Sequence, residues 1–179
     1  MHQLSALTLA AALGISGAVS GCSSLTDVPT ERVGSTSLKQ ADGKSVGNAQ
    51  IFASETRVVI SAAFFRLPSG PHAVHLHTTG QCDGPDFKTA GGHLNPGENK
   101  HGSADGSAGH LGDLPNVTIS PAGTATYEAV IEGSKAAILA DIFDEDGAAL
   151  MVHEGPDDYR TDPSGGAGGR IACGVLKPA

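Results

Sequence analysis

The stretch HAVHLH, residues 72–77, places three histidines within six residues. Side chains alternate between the two faces of a β-strand, so we expect His75 and His77 to share one face and His72 to point away from it. Two imidazoles on one face can bind a metal ion together, and we interpret His72 as a structural residue. Taken alone, His75 and His77 would fit a solvated polar face equally well.

Further candidate ligands follow along the chain. His93, His101, His110 and Asp113 have the spacing H-x7-H-x8-H-x2-D, and His153 ends a later apolar segment. Six of the seven histidines outside the N-terminal segment belong to this set or to the His-x-His pair. Three imidazoles and a carboxylate suit tetrahedral zinc, and imidazole-rich ligation with an open side suits copper. The pattern therefore predicts a metal protein.

The rest of the sequence indicates an all-β fold. Residues 37–65 are strand-like, with a polar break, SET, that predicts a hairpin, and NVTIS and TATYEAVI flank a PAG turn. A Gly-rich loop spans residues 79–115, and a second Gly-rich loop, EGPDDYRTDPSGGAGGR, precedes the last strand. Loops of such length inside a compact domain are usually functional or disordered. Many short strands and no convincing helical stripe favour an antiparallel sandwich or barrel.

Length and charge narrow the range of functions. A chain of 179 residues is typical of one domain. The formal net charge of −8, without a basic cluster, argues against binding of nucleic acid.

The N-terminus reads as an export signal. LSALTLAAALGISGAVSGC, residues 4–22, is apolar and uncharged, is too short for a comfortable membrane span, and ends in small residues. VSGC resembles the lipobox of bacterial lipoproteins, although no Lys or Arg precedes the apolar region. We predict a lipoprotein signal peptide over residues 1–21, a lipidated Cys22, a flexible tether to residue 36, and a domain over 37–179, anchored by lipid in the periplasm. The alternative is an ordinary signal peptide with an incidental cysteine.

The chain has three cysteines, Cys22, Cys82 and Cys173, and an odd number in an exported protein needs an explanation. If Cys22 carries lipid, Cys82 and Cys173 are free to pair, and an oxidising periplasm would preserve the bond.

Six ordered motifs carry a family resemblance: GPHAVHLHTTGQC, AGGHLNP, HGS, HLGDLPNV, ALMVHEGPDD and GGRIACGV. Together they resemble bacterial copper/zinc superoxide dismutases over residues 37–176. The resemblance implies an eight-stranded Greek-key β-barrel or sandwich with two long functional loops.

The same resemblance implies the site residues. It assigns one copper ion per subunit to His75, His77, His93 and His153, and one zinc ion to His93, His101, His110 and Asp113. Asp157 matches a carboxylate that hydrogen-bonds one ligand of each metal, here His75 and His101. Arg170 matches the arginine beside copper, and Cys82 and Cys173 match the family disulfide.

The implied activity is disproportionation of superoxide to oxygen and hydrogen peroxide, which would protect against superoxide outside the cytoplasm. Arg170 would hold the anion, and His93 would take up and deliver a proton. Val74 and Thr78 stand where Phe and Glu are common, which leaves the guidance of substrate and the subunit interface open. The rival hypotheses are a non-catalytic copper or zinc holder and a purely structural β-domain. A monomer and a homodimer both fit the sequence.

Overall fold

The computed structural model describes residues 28–102 and 109–179. The predicted signal peptide and Cys22 lie outside these residues. Within the described part of the chain, no helix is both long and apolar enough to cross a membrane.

The chain forms ten strands and one α-helix within these residues. The strands are β1 Glu31–Lys39, β2 Ser45–Ser54, β3 Arg57–Phe64, β4 Gly70–His72, β5 Val74–His77, β6 Val117–Ile119, β7 Ala125–Glu132, β8 Ala149–His153, β9 Arg170–Val175 and β10 Lys177–Pro178. Helix α1 spans Lys135–Ile142, and a 3-10 helix spans Lys88–Ala90. The predicted hairpin at SET and the predicted PAG turn are confirmed, because they join β2 to β3 and β6 to β7.

One curled antiparallel sheet dominates the fold. Seven strands follow the order β5-β8-β9-β1-β2-β3-β7, and β10 pairs with β1 as the eighth. Strands β4 and β6 form a separate two-stranded ladder. Neighbours that are distant in sequence, such as β5 and β8, require crossover connections. The predicted eight-stranded Greek-key architecture is therefore confirmed, and its two long loops contain residues 78–102 with 109–116, and residues 154–169.

The main core lies on the concave side of this sheet. In β3, Val58, Ile60, Ala62 and Phe64 point inwards and are buried, while the residues between them are more exposed. This period-2 burial is the expected result of strand geometry. The core is mostly aliphatic, in keeping with an aromatic content of 4%.

Strands β5 and β8 are buried on both faces. Val74 and Leu76 of β5 belong to the main core, as do Leu150 and Val152 of β8. Their alternate positions face the long loops instead, and this second face carries the histidines of β5. The loops therefore exclude water from a side of the sheet that would otherwise be solvated.

The disulfide between Cys82 and Cys173 is confirmed, and it bridges a sequence separation of 91 residues. Cys173, Phe87, Ala90 and Met151 form a second apolar cluster, with Cys82 packed against it. This cluster holds the first part of the long loop against the outer face of β8 and β9.

The predicted tether extends too far. Residues 31–36 are the start of β1, not a flexible segment, and β1 pairs with β2 from Glu31 onwards. In this strand Thr36 and Leu38 are buried while Ser37 is exposed. Small polar residues hide the alternation that would otherwise indicate a strand.

Helix α1 is the element that the sequence analysis missed. It has eight residues, of which Ile138 and Ile142 are buried, one helical turn apart. Its first residue, Lys135, forms an ion pair with Glu31 at the start of β1. Two buried positions are too few to give a convincing stripe, so packing rather than sequence periodicity accounts for this helix.

Candidate metal centre

The sheet presents part of the site directly. His75 and His77 lie on β5, His153 ends β8, and Arg170 begins β9 opposite His153. The β8–β9 register shifts between Val152 and His153. Such bulges often re-aim a side chain beside a functional site.

The long loop adds the remaining residues by pairing with β5. Isolated bridges join His77 to His93 and His75 to Asp113. The N–H of Leu94 donates to the carbonyl oxygen of Leu76 at 2.8 Å, and the carbonyl oxygen of Leu94 accepts the N–H of Gly112 at 2.9 Å. Residues far apart in sequence thereby meet over the outer face of β5.

Two groups of potential ligands result. The first contains His75, His77, His93 and His153, and the second contains His93, His101, His110 and Asp113. In each group the ligand atoms lie within 4.8 Å of one another. His93 belongs to both groups, one ring nitrogen facing each.

The first group has the protonation pattern of a cation site. The Nδ1–H of His77 donates to the carbonyl oxygen of Gly91 at 3.0 Å, and Nδ1 of His153 lies 3.4 Å from the carbonyl oxygen of Gly168. Each ring therefore turns a bare Nε2 inwards, and these two atoms are 3.3 Å apart. Two lone pairs at that distance repel each other unless a cation lies between them. Buried His75 Nδ1 and His93 Nε2 also lack a hydrogen-bond partner.

The second group fits a tetrahedral ion. Oδ1 of Asp113 lies 2.8 Å from Nδ1 of His93, 3.0 Å from Nδ1 of His101 and 3.2 Å from Nδ1 of His110. A tetrahedron with metal–ligand bonds of about 2.0 Å has edges of about 3.3 Å. The other carboxylate oxygen, Oδ2, accepts backbone hydrogen bonds from Gly102 and His110 at 3.0 and 2.9 Å, which fix the orientation of Asp113.

The carboxylate of Asp157 links the two groups, because it accepts a hydrogen bond from one histidine of each group. Its Oδ2 accepts the Nε2–H of His75 and its Oδ1 accepts the Nε2–H of His101, both at 2.9 Å. A carboxylate only accepts, so each ring carries its proton on Nε2 and offers Nδ1 to the site. For His101 this lone pair faces the Asp113 carboxylate, again an arrangement that requires a cation.

Sequence reasoning missed the residues that hold Asp157 in place. The side chain of Asn116 donates to the carbonyl oxygen of Asp157 at 2.9 Å and accepts its N–H at 2.8 Å. The Tyr159 N–H donates to Asp157 Oδ1 at 2.6 Å, and the Tyr159 hydroxyl accepts the N–H of Asn116 at 2.8 Å. Asn116 and Asp157 are 41 residues apart, so no local pattern links them.

One glycine is required beside this carboxylate. Gly165 has φ of +64°, and a Cβ at this position would lie 1.8 Å from Asp157 Oδ1 and 2.7 Å from His101 Nε2. A side chain would therefore displace the hydrogen bond between Asp157 and His101. The Gly-rich composition of the second loop is the only sequence signal for this requirement.

Arg170 reaches the first group without joining it. Its guanidinium donates to the carbonyl oxygen of Phe87 at 2.7 Å and to that of Gly91 at 2.6 Å. Gly91 thus fixes both Arg170 and His77. A cavity of about 490 Å³ is lined by Arg170, His77, His93 and His153, so a small anion in it would meet the arginine and the histidines together.

His72 lies outside both groups, with its ring nitrogens 2.8 and 2.9 Å from the carbonyl oxygens of His153 and Pro68.

The local environment keeps His77 and His153 neutral and Asp157 ionised, as the pKa of each group shows. Burial lowers the pKa of His77 to about 2 and that of His153 to about 3. Burial opposes ionisation of Asp157, but the hydrogen bonds from His75 and His101 outweigh it and hold the pKa at about 2. Neutral His77 and His153 offer the lone pairs that a metal ion needs, and ionised Asp157 accepts the protons of His75 and His101.

These values predict how acid affects the metal-free protein. His77 and His153 stay neutral when folded but gain protons near pH 6.5 when unfolded, so stability is retained above that pH and lost as the pH falls below it. We expect the free energy of unfolding to drop by up to about 1.4 kcal/mol per pH unit for each histidine. Urea denaturation in chelator between pH 7 and 5 measures this slope. Replacing both residues by glutamine should flatten it, and an unchanged slope in that variant would contradict the assignment.

Comparison with known proteins gives one consistent family. Residues 45–176 match the family model described as copper/zinc superoxide dismutase. A copper/zinc superoxide dismutase of Aquifex aeolicus is 40% identical over 75% of this chain and 82% of its own length.

Two solved structures share the architecture. A superoxide dismutase-like protein from Bacillus subtilis is 35% identical, with a TM-score of 0.71, over 80% of this chain and 97% of that one. The copper/zinc superoxide dismutase of Brucella abortus is 29% identical, with a TM-score of 0.65, over 80% of this chain and 98% of that one.

Proposed function

Since the chain belongs to the copper/zinc superoxide dismutase family, we propose specific roles for its residues in superoxide disproportionation and a place outside the cytoplasm for the reaction. The enzyme uses copper and zinc. In our proposal copper is held by His75, His77, His93 and His153, and zinc by His93, His101, His110 and Asp113.

The observation that carries this assignment is the shared ring of His93. Its Nε2 is buried without a partner on the side of the first group, and its Nδ1 lies 2.8 Å from Asp113 in the second. A copper or zinc holder would need neither a shared imidazole nor the adjacent Arg170. A purely structural domain would need none of the inward-facing lone pairs.

The reaction converts two superoxide anions and two protons to oxygen and hydrogen peroxide. Bound copper supplies the one-electron redox chemistry, and bound zinc, which has no accessible redox change, supplies fixed charge and holds the loop. Arg170 binds the anion in the cavity, because its guanidinium is always charged and is oriented by two carbonyl oxygens. Nε2 of His93 takes up a proton and returns it to the reduced substrate.

Replacing Arg170 tests the role of the anion site separately from metal binding. Arg170→Ala should slow turnover by about tenfold, with copper and zinc at unchanged stoichiometry, and the rate should depend less on ionic strength. Arg170→Glu should slow it further, because the new charge repels superoxide. Pulse radiolysis across a salt series, with metal analysis of the same samples, measures both effects.

The same experiment discriminates between the hypotheses. If wild-type protein holds both metals and superoxide persists, the metal-holder hypothesis replaces the enzyme. If activity in the two variants falls only in step with metal content, Arg170 is a structural support for its loop.

The extracytoplasmic location is supported by the cysteines. Disulfides persist in oxidising compartments. The bond between Cys82 and Cys173 accounts for two of the three cysteines, and the third, Cys22, lies in VSGC. We propose export under a signal peptide of residues 1–21 and lipid attachment at Cys22, so that the enzyme removes superoxide at the periplasmic surface of a membrane.

Cys22→Ser tests the lipid anchor. The variant should lose its lipid, and the processing of its precursor should change, because the proposed acylation residue is removed. Fractionation and metabolic labelling with a fatty acid measure the change, and Asp42→Asn, a distant surface change, serves as the control. A wild-type protein found entirely in the soluble fraction would contradict the anchor.

A further inference from the structure

A second cavity lies away from the metal centre, on the outer face of β1 and β2. It has a volume of about 950 Å³, and its basic lining residues are Arg32 and Lys39 of β1 and Lys177 of β10. All three side chains are exposed. We name this feature the cationic groove. Strands β10 and β9 border the groove as well, since β10 pairs with β1 at Gly34 and Ser35 and β9 pairs with β1 at Lys39.

The charge of the groove is opposite to that of the protein. The chain as a whole carries −8, yet the described lining residues include no carboxylate. Acidic residues close in sequence have cationic partners of their own: Glu31 pairs with Lys135, Asp42 with Lys44, and Asp86 with Lys88. Arg32, Lys39 and Lys177 themselves form no ion pair with a carboxylate of the described residues.

The remaining lining suits a phosphate-rich surface. Ser37, Asn48 and Gln50 add uncharged polar groups from adjacent strands, and Ser37 donates to Asn48 at 2.9 Å. Hydroxyl and amide groups hydrogen-bond phosphate oxygens without adding negative charge. Phe87 and Val175 add apolar surface beside these polar groups.

The position of the groove along the chain indicates which anionic surface it meets. Arg32 lies ten residues after Cys22, and ten residues span at most about 36 Å. A lipid on Cys22 would thus keep Arg32 close to the membrane. Lys39 and Lys177, which line the same groove, could then also approach the membrane surface.

We propose that the cationic groove docks on the anionic phospholipid headgroups of the membrane, so that the domain lies with this face towards the bilayer. The inference rests on the proposed lipid anchor. Each basic side chain near an anionic leaflet contributes about fivefold to binding. The groove shares no described lining residue with the cavity at Arg170, so docking leaves the substrate cavity open.

The test measures binding of the full chain carrying Cys22→Ser, which removes lipid attachment from the comparison. Flotation compares vesicles of phosphatidylcholine alone with vesicles that also contain phosphatidylglycerol, at low and high salt. The test variant adds Arg32→Gln, Lys39→Gln and Lys177→Gln. The control adds Arg66→Gln, Lys100→Gln and Arg160→Gln, which remove the same number of charges from residues that do not line the groove. Any binding by residues 1–21 is common to all chains and appears with phosphatidylcholine alone.

We expect the test variant to bind the phosphatidylglycerol vesicles about 100-fold more weakly than the parent at low salt, with no such loss in the control. Its superoxide turnover should equal that of the parent. Equal losses in the test and control variants, or no preference for phosphatidylglycerol in the parent, would overturn the proposal. Because lipidation is absent from this comparison, a failed anchor and a failed groove give separate results.

Discussion

Asp157→Asn should weaken copper binding more than zinc binding, although the substituted side chain has almost the same shape. Oδ1 of Asp157 accepts two hydrogen bonds, from Nε2 of His101 and from the N–H of Tyr159, while Oδ2 accepts only that of His75. The amide of asparagine has one oxygen, which should stay on the side with two donors. Its NH₂ group would then face the Nε2–H of His75, and two donors cannot bond.

To relieve this conflict His75 must move its proton to Nδ1, the atom that the copper set needs. Loss of such an outer hydrogen bond typically costs 10–100-fold in metal affinity, so we expect a loss of about that size for copper and a smaller one for zinc. Asp157→Ala should weaken both metals, because both rings lose their acceptor.

Competition with chelators, with copper and zinc measured in the same samples, gives the two affinities. Asp158→Asn is the matched control, since it makes the same chemical change one residue away at an exposed carboxylate. Asn116→Ala should show an intermediate loss, because it frees the backbone of Asp157 but leaves the carboxylate. Zinc lost before copper in Asp157→Asn would contradict this account of the hydrogen bonds.

Replacing both Cys82 and Cys173 by serine should give the largest loss of stability. A loop of this length, with a sequence separation of 91 residues, is worth about 4.6 kcal/mol in the chain-entropy treatment of crosslinks. Thermal or urea unfolding of the metal-free double variant measures the difference. Wild-type protein treated with a reductant should lose a similar amount.

The same change should also slow turnover in protein that keeps its metals. The segment next to Cys82 carries the carbonyl oxygens of Phe87 and Gly91, which orient Arg170. Once the disulfide is gone, this segment is held to the sheet by the packing of Phe87 and Ala90 and by the hydrogen bonds to Gly91. A fully metallated double variant with unchanged rates and unchanged salt dependence would show that the disulfide does not position Arg170.

Much of the fold and of the site follows from sequence because the decisive residues are chemically distinctive. Histidines and a carboxylate at fixed spacing indicate the ligands, and alternation along β3 and β5 indicates the sheet. The start of β1 was not predictable, because Gly34 and Ser35 have weak strand preferences. These residues adopt the strand conformation because they pair with β2 and β10. Helix α1 was missed for a similar reason, since tertiary packing of Ile138 and Ile142 decides it.

The residues that orient the metal ligands could not be predicted from the sequence, for a different reason. Gly91, Phe87 and Gly168 act through backbone carbonyl oxygens, which every residue possesses. The hydrogen bonds between Asn116 and Asp157 join segments that only the folded chain brings together. Sequence alone thus indicates which side chains face the metals but not what fixes their protons and orientations.

The ring of His93 and the carboxylate of Asp157 each belong to both halves of the centre, and this makes the two binding equilibria dependent on each other. An ion in one half fixes a ring that the other half also uses. By thermodynamic linkage, the factor by which zinc strengthens copper binding equals the factor by which copper strengthens zinc binding. A shortage of either metal would therefore loosen the hold on the other, and the order of loading would not change the final state.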